Sequence, residues 1–156
     1  MSENPVLHSH LVRLSYGDTD PAGILYYAAW FPKMEALQSE FLFFQGLRQD
    51  RLKEDFGWWT VSRATSCEYL AAAGLFDQIR IELRRGSVGT SSFAFDFTMR
   101  RVSDDVLVAR AVSTLVTVSP EQSTVRIPEL LHDHLANWGS SEWAAAHAIT
   151  GADALA

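Results

Sequence analysis

Closely spaced segments in which apolar and polar residues alternate are the feature that most limits how this chain folds. In "FDQIRIELRRGSVG", Ile79, Ile81 and Leu83 fall on one face of an extended strand. The segment "SSFAFDFTMRR" repeats this period with Phe93, Phe95, Phe97 and Met99. Further β-rich segments are "HSHLVRLS", "TVSRATSCEYLAA" and "VLVARAVSTLVTVS". Because turns as short as "RRGSVGTS" and "VSDD" join neighbours, these strands are predicted to be antiparallel.

One segment has the period of a helix instead. Apolar residues recur at steps of four, three, four and three, at Trp30, Met34, Leu37, Phe41 and Phe44. Gly46 follows where a left-handed helix cap is expected. The pattern predicts a helix from Tyr27 to Phe44, about 27 Å long. We therefore expect an α+β domain, with this helix packed on one face of an antiparallel sheet of about five strands.

Composition restricts the classes of function. The chain has 156 residues, and its net charge of -6 argues against general binding to nucleic acid or anionic membranes. Its single cysteine, Cys67, excludes an intrachain disulfide and favours a reducing compartment. No leader or membrane-spanning run is apparent, so we expect a cytoplasmic protein. Residues 1–130 are predicted to form the domain, and residues 131–156 a helical or partly disordered tail.

The turn before the helix is the strongest candidate site. "YGDTDPAG" places Asp18 and Asp20 within three residues, directly before a proline and a glycine. One interpretation is local, because aspartate favours turns and helix starts. The other is chemical: free N–H groups at a helix start polarise a carbonyl oxygen while a nearby carboxylate attacks it or activates water. The residues leave capping and acyl transfer or hydrolysis both open.

Other candidates are weaker. His132 and His134 are two residues apart, so they point to different sides of a helix and predict no metal site. His8 and His10 share a strand face, but no partner can be named from sequence, and a structural role is preferred. Cys67 lies in a predicted strand, where a small buried residue is commoner than a nucleophile. The arginines at positions 80, 84, 85, 100 and 101 fit solvated strand edges, with phosphate binding as the alternative.

The motif also carries a family resemblance. "YGDTDPAGILYYAAWFPKMEAL" resembles the signature of hotdog-fold acyl-CoA thioesterases of the 4-hydroxybenzoyl-CoA thioesterase family, including their Tol-Pal-associated branch. "CEYLAAAGLFDQIRIEL", "GTSSFAFDFTMRR" and "LVARAVSTLVTVSPEQSTVRIP" are similar to later strands of that family, in the same order. The resemblance implies a long helix wrapped by a curved antiparallel sheet. It also implies a homodimer or a homotetramer formed as a dimer of dimers, with active sites between subunits.

Residue roles follow from the same resemblance. Asp20 matches the catalytic carboxylate, as nucleophile or general base, and Tyr27 matches the helix-start position whose backbone N–H polarises the thioester carbonyl. Asp18 matches a motif acid of structural character. Gly23 and Trp30 of the motif are expected at the substrate. Independently of the resemblance, the local excess of arginines suggests that Arg84 and Arg85 hold the CoA phosphates.

The substrate implied by the resemblance is an acyl- or aroyl-CoA thioester, and the reaction needs no metal or redox cofactor. The alternatives are the same chemistry on a chain held by an acyl carrier protein, or a non-catalytic acyl-binding module in which Asp20 only caps. A hotdog dehydratase is disfavoured, because no histidine lies in the motif.

Overall fold

The computed structural model describes residues 4–147, so the part of the predicted tail at 148–156 lies outside the described residues. Five strands are present: β1 Val6–Arg13, β2 Trp59–Tyr69, β3 Gln78–Val88, β4 Ser92–Arg101 and β5 Leu107–Val118. The named helices are α1 Trp30–Phe44, α2 Leu52–Phe56 and α3 Glu129–Asn137. Among residues 4–147, no helix is both long enough and apolar enough to cross a bilayer.

The five strands form one antiparallel sheet in the order β1-β3-β4-β5-β2. The prediction of an α+β domain with about five antiparallel strands is confirmed. The two edges are taken by β1, the first strand of the chain, and by β2, the first strand after α1. The face of β3 that the sequence alternation predicted to be apolar is the buried one, because Ile79, Ile81 and Leu83 are all fully buried.

Helix α1 packs on this buried face. The predicted helix begins with a single 3-10 turn, Tyr27–Ala29, and continues as α1. Trp30, Met34, Leu37 and Phe41 are buried as the period predicts, but Phe44 is 65% exposed. At that end of the helix Leu42 and Leu47 reach the core instead. Gly46 adopts the expected left-handed conformation, with φ of 77°.

The C-terminal segment also contacts the core. Leu131 and Leu135 of α3 are buried, as are Trp138 and Trp143 beyond it. The Trp138 indole Nε1–H donates to Gln45 Oε1 at 2.9 Å, which ties this segment to the end of α1. Residues 129–147 therefore add to one hydrophobic core rather than forming a separate one.

Strand β2 is an edge strand of unusual exposure. It pairs with β5 on one side only, and most of its 11 residues are exposed on both faces. A long strand with an unpaired edge is a template for pairing with another chain. Ser62 and Thr65 of β2 line a cavity together with residues of α1.

Candidate active site

Asp18 is held inside the motif turn. Its carboxylate accepts hydrogen bonds from the Ser15 backbone N–H at 2.7 Å and from the Ser15 hydroxyl at 3.1 Å. The Lys33 ammonium of α1 lies 3.0 Å from Asp18 Oδ1, and the Asp18 carbonyl accepts from the Tyr26 N–H at 2.7 Å. With both carboxylate oxygens and its carbonyl engaged, Asp18 shapes the turn.

The surroundings of Asp18 favour its charged form. Partial burial by itself raises the pKa of the carboxyl group. The hydrogen bonds from Ser15 and the Lys33 ammonium together outweigh that effect, so the pKa of Asp18 lies below its usual value. A carboxylate stabilised in this way is a weak base and a poor nucleophile, which agrees with a structural role.

Asp20 is less constrained. Its Oδ1 accepts one hydrogen bond, from the Ala22 backbone N–H at 2.8 Å. Its backbone closes the turn, because the Asp20 N–H donates to Ile24 and its carbonyl accepts from Gly23. Gly23 has a φ of 79°, a conformation that favours glycine. Within residues 4–147 no hydrogen bond engages Asp20 Oδ2, so this oxygen is available to a substrate or a water.

Tyr27 marks the start of the helix. Within the described range its backbone N–H donates to no protein acceptor, as is usual for the first N–H groups of a helix. Its carbonyl accepts from the Tyr69 hydroxyl at 2.5 Å, which fixes the peptide from the side of β2. The Leu25 N–H donates to the Ala73 carbonyl at 2.7 Å, so the motif is also fixed to the loop between β2 and β3.

Exposed apolar and aromatic side chains surround these groups. They come from the motif, from the end of β2 and from the chain that follows it: Tyr16, Ile24, Tyr26, Tyr27, Tyr69, Leu70 and Phe76. Tyr27 itself is 63% exposed. A concentration of large exposed apolar side chains marks a surface that binds a ligand or another chain.

A cavity of about 380 Å³ lies between α1 and the strands β2 and β5. Its lining residues are Phe31, Met34, Glu35, Gln38, Ser62, Thr65 and Ser113. It starts about one helical turn after Tyr27 and contains one carboxylate, Glu35, which accepts from the Ser39 hydroxyl. This volume lies within the range of small-ligand pockets in proteins.

The predicted site residues do not all lie together. Asp20, Gly23 and Tyr27 belong to one turn and helix start, whereas Trp30 is only 2% exposed and packs in the core. Arg84 donates to Thr98 and pairs with Glu82 on the sheet.

Arg85 lies apart from the motif, where its guanidinium donates to the Leu135 carbonyl of α3. Cys67 lies in β2, as the sequence predicts. Burial raises the pKa of this thiol, so it is protonated and does not suit a nucleophile.

Sequence reasoning missed three groups at this site. Lys33 is fifteen positions after Asp18, and no local pattern connects the two. Tyr69 reaches the helix start from another strand, and Glu35 sits on the polar side of the helical stripe. Of the three, only Lys33 could have been suspected from the sequence. It is a basic residue near the start of α1, where the helix dipole disfavours a positive charge unless an acidic group is near.

Family membership follows from a match to the family model of the thioesterase-like superfamily over residues 14–139. The chain belongs to the thioesterase-like superfamily. The class of reaction, thioester hydrolysis, is the one that the motif predicted. No curated protein sequence is similar enough to count as a match.

Solved structures share the fold at low identity. A 1,4-dihydroxy-2-naphthoyl-CoA thioesterase from Synechocystis has a TM-score of 0.74 and 18% identity, covering 83% of this chain and 96% of that one. A gentisyl-coenzyme A thioesterase has a TM-score of 0.67 and 20% identity, covering 80% and 98%. A Staphylococcus aureus protein in complex with CoA has a TM-score of 0.74 and 13% identity, covering 87% and 85%. The predicted hotdog fold is thereby confirmed.

Proposed function

We propose that the protein hydrolyses an acyl-CoA or aroyl-CoA thioester to the free acid and CoA. The observation that carries this proposal is the pairing of a carboxylate with an open oxygen, on Asp20, with an unpartnered N–H at the start of the adjacent helix, on Tyr27. These are the two functions that thioester hydrolysis requires of a protein: a nucleophile or base, and a donor for the developing oxyanion.

The chemistry uses these groups in a simple order. The Tyr27 N–H donates to the thioester carbonyl oxygen, and the positive end of the helix adds to the effect. Asp20 attacks the carbonyl carbon or takes a proton from an attacking water. When water attacks, a carbon–oxygen bond forms, the carbon–sulfur bond breaks, and CoA leaves as a thiolate that receives the proton taken up by Asp20. When Asp20 attacks directly, the same exchange of bonds leaves the acyl group on Asp20 as an anhydride, which water then hydrolyses to the free acid. A donor of this type is worth about 3 kcal/mol of barrier in comparable sites.

Coenzyme A is the proposed carrier because a protein of the same fold binds it and two others are CoA thioesterases. We place the acyl group in the cavity beside α1, whose wall combines Phe31 and Met34 with the polar groups of Gln38 and Ser113. We propose that Gly23, Arg84 and Arg85 bind the substrate, and that the buried Trp30 contributes by supporting the start of α1 from the core. Both arginines would have to exchange their present partners for CoA phosphates.

A second chain completes the proposed site. Strand β2 contributes Ser62 and Thr65 to the cavity and ends at Tyr69, and pairing of two β2 strands along their free edges would continue the sheet across a homodimer. The exposed aromatic surface around Tyr27 would then be partly covered by the partner. We propose a homodimer, or a dimer of dimers, in the cytoplasm.

Two competing interpretations, a non-catalytic acyl-binding module and a site with a different base, have their own support. The hydrogen bond from the Ala22 N–H to Asp20 Oδ1 is that of an ordinary Asx turn, which a non-catalytic acyl-binding module would also contain. Glu35 is a second carboxylate that faces the cavity and offers another base. Both alternatives predict that the protein keeps its ligand when Asp20 loses its charge, but only the second predicts turnover.

The proposal is tested with a panel of acyl- and aroyl-CoA thioesters, followed by release of free thiol. Hydrolysis of at least one CoA ester, with saturation, is the expected result. The same acyl groups loaded on an acyl carrier protein form the second arm of the panel. Turnover of the carrier-protein esters alone would reassign the carrier, and binding without thiol release from either arm would support the non-catalytic module.

A further inference from the structure

Two histidines of β1 converge on one carboxylate of α1. His8 and His10 alternate on the strand and so share the face that meets the helix. The Nε2 atoms of His8 and His10 lie 2.6 and 2.5 Å from Glu40 Oε2. One ligand atom from each residue lies within 4.8 Å of the other two. The two histidines are visible as a pair in the sequence, and the fold brings Glu40 to them as the third residue of the cluster.

The frame that holds these groups is rigid. His8 and His10 are paired in register with Leu83 and Ile81 of β3, both fully buried. Glu40 precedes Phe41, which is 2% exposed and anchors the helix to the sheet. The Phe41 and Phe44 rings lie 6.2 and 5.8 Å from the His8 ring and restrict its rotation. Three side chains thus meet without rearrangement of the backbone.

The cluster is also accessible. The side chains of His8 and His10 are 16% and 27% exposed, and that of Glu40 is 43% exposed. A carboxylate and two imidazoles with one side open to solvent leave a coordination position for water.

We propose that His8, His10 and Glu40 bind a divalent transition-metal ion of the zinc type. Two imidazole nitrogens and one carboxylate oxygen form a recognised ligand set for such ions. The ion would replace the hydrogen bonds to Glu40: each imidazole moves its proton to Nδ1 and gives the Nε2 lone pair to the metal. Donor atoms in a tetrahedral zinc site are about 3.3 Å apart, so the half-exposed Glu40 side chain has to withdraw by under about 1 Å.

The affinity follows from what surrounds the ligands. Within residues 4–147, neither Nδ1 atom has a protein acceptor to orient its ring from behind. Such outer contacts typically contribute 10- to 100-fold in metal affinity. We therefore expect a dissociation constant for Zn²⁺ in the micromolar range rather than the nanomolar range of fully supported sites.

The metal site is separate from the hydrolytic site. Glu40 lies 13 residues after Tyr27, which is about 20 Å along a helix. An ion there cannot reach a carbonyl bound at the helix start. Its effect is to fasten the edge strand β1 to α1, so that the folded protein becomes more stable when the ion is bound.

Calorimetric titration of the full, tag-free chain with ZnCl₂ tests the proposal, with thermal melting as a second readout. We expect one Zn²⁺ per chain and a higher melting temperature with the ion. The variants His10→Gln and Glu40→Gln keep size and polarity, and each is expected to weaken binding by at least about tenfold. His132→Gln removes an exposed histidine of α3 and serves as the matched control.

The outcomes separate clearly. If His10→Gln and Glu40→Gln titrate like the unsubstituted protein, or if no stoichiometric binding occurs, the three residues form only a hydrogen-bonded cluster and the proposal is overturned. Loss of binding in His132→Gln would assign the ion to α3. Melting without metal shows whether each variant is folded, and if His10→Gln is not, Glu40→Gln decides.

Discussion

Lys33 Nζ lies 3.0 Å from Asp18 Oδ1, so the long helix holds the turn that carries the catalytic candidate. The pair is largely shielded, with Lys33 20% and Asp18 17% exposed in their side chains. Asp20 follows two residues later and is free of such a partner. One aspartate of the motif therefore positions the other.

Asp18→Asn should lower stability without abolishing chemistry. The substitution keeps the shape but removes the charge that Lys33 and the Ser15 N–H stabilise, and we expect a loss of about 1 kcal/mol, the usual value of a capping interaction. Chemical denaturation measures it. Asp50→Asn, which breaks the solvent-exposed pair with Arg48, is the control and should change stability little. Equal effects of the two substitutions would contradict the account.

Acid should weaken the same interaction. Because the folded pKa of Asp18 lies below its unfolded value of about 3.9, its contribution is complete above that pH and is lost as pH falls through the folded pKa. The stability difference between the unsubstituted protein and Asp18→Asn should shrink from about pH 5 downwards. Urea unfolding at several pH values measures this difference. A gap that widens in acid would contradict the sign.

The sequence predicted those parts of the fold that depend on local period. Ile79, Ile81 and Leu83 alternate in the sequence and are buried in the structure. Gly46 follows the end of α1 in the left-handed conformation that the sequence predicted. The strand order, which puts β1 beside β3 and β2 at the far edge, depends on pairings distant in sequence and was not predicted.

The same division applies to the site. The turn with Asp20 and the helix start at Tyr27 lie in one motif and were both predicted as candidates. The site is completed by Lys33 and Glu35, which project from α1, and by Tyr69, which comes from β2. In the histidine cluster, Glu40 lies 32 residues from His8 and 30 residues from His10. Tertiary contacts of this kind leave no local period.

The β2 edge should mediate dimerisation. Val61 is an exposed residue of β2, and Val61→Lys places a charge at the proposed contact. Light scattering at micromolar concentration should give two or four times 17.4 kDa for the unsubstituted protein and a smaller mass for this variant. Val102→Lys changes a valine of similar exposure, 38% against 39%, outside β2 and should keep the mass of the unsubstituted protein. A stable monomer without any substitution would remove the shared site.

Arg84→Ala should act on substrate affinity. If this guanidinium binds CoA phosphates, its loss raises KM for acyl-CoA more than it lowers kcat, and added salt does the same. Steady-state kinetics at two salt concentrations measures both. Melting must accompany the kinetics, because Arg84 also contacts Thr98 and Glu82. An unchanged KM in a folded variant would exclude this residue from the carrier site, and Arg85→Ala repeats the test for its neighbour.

The role of Asp20 is the central claim, and Asp20→Asn tests it most directly. The substitution retains the Ala22 hydrogen bond but removes the charge that attacks or activates water. Glu35→Gln is the matched control, since it makes the same change on the carboxylate that faces the cavity. The measurement is kcat/KM for thiol release from the best CoA ester of the panel. We predict a fall of at least about 100-fold for Asp20→Asn, with a much smaller change for Glu35→Gln and little loss of folding stability in either. Full turnover per folded molecule in Asp20→Asn would contradict the account.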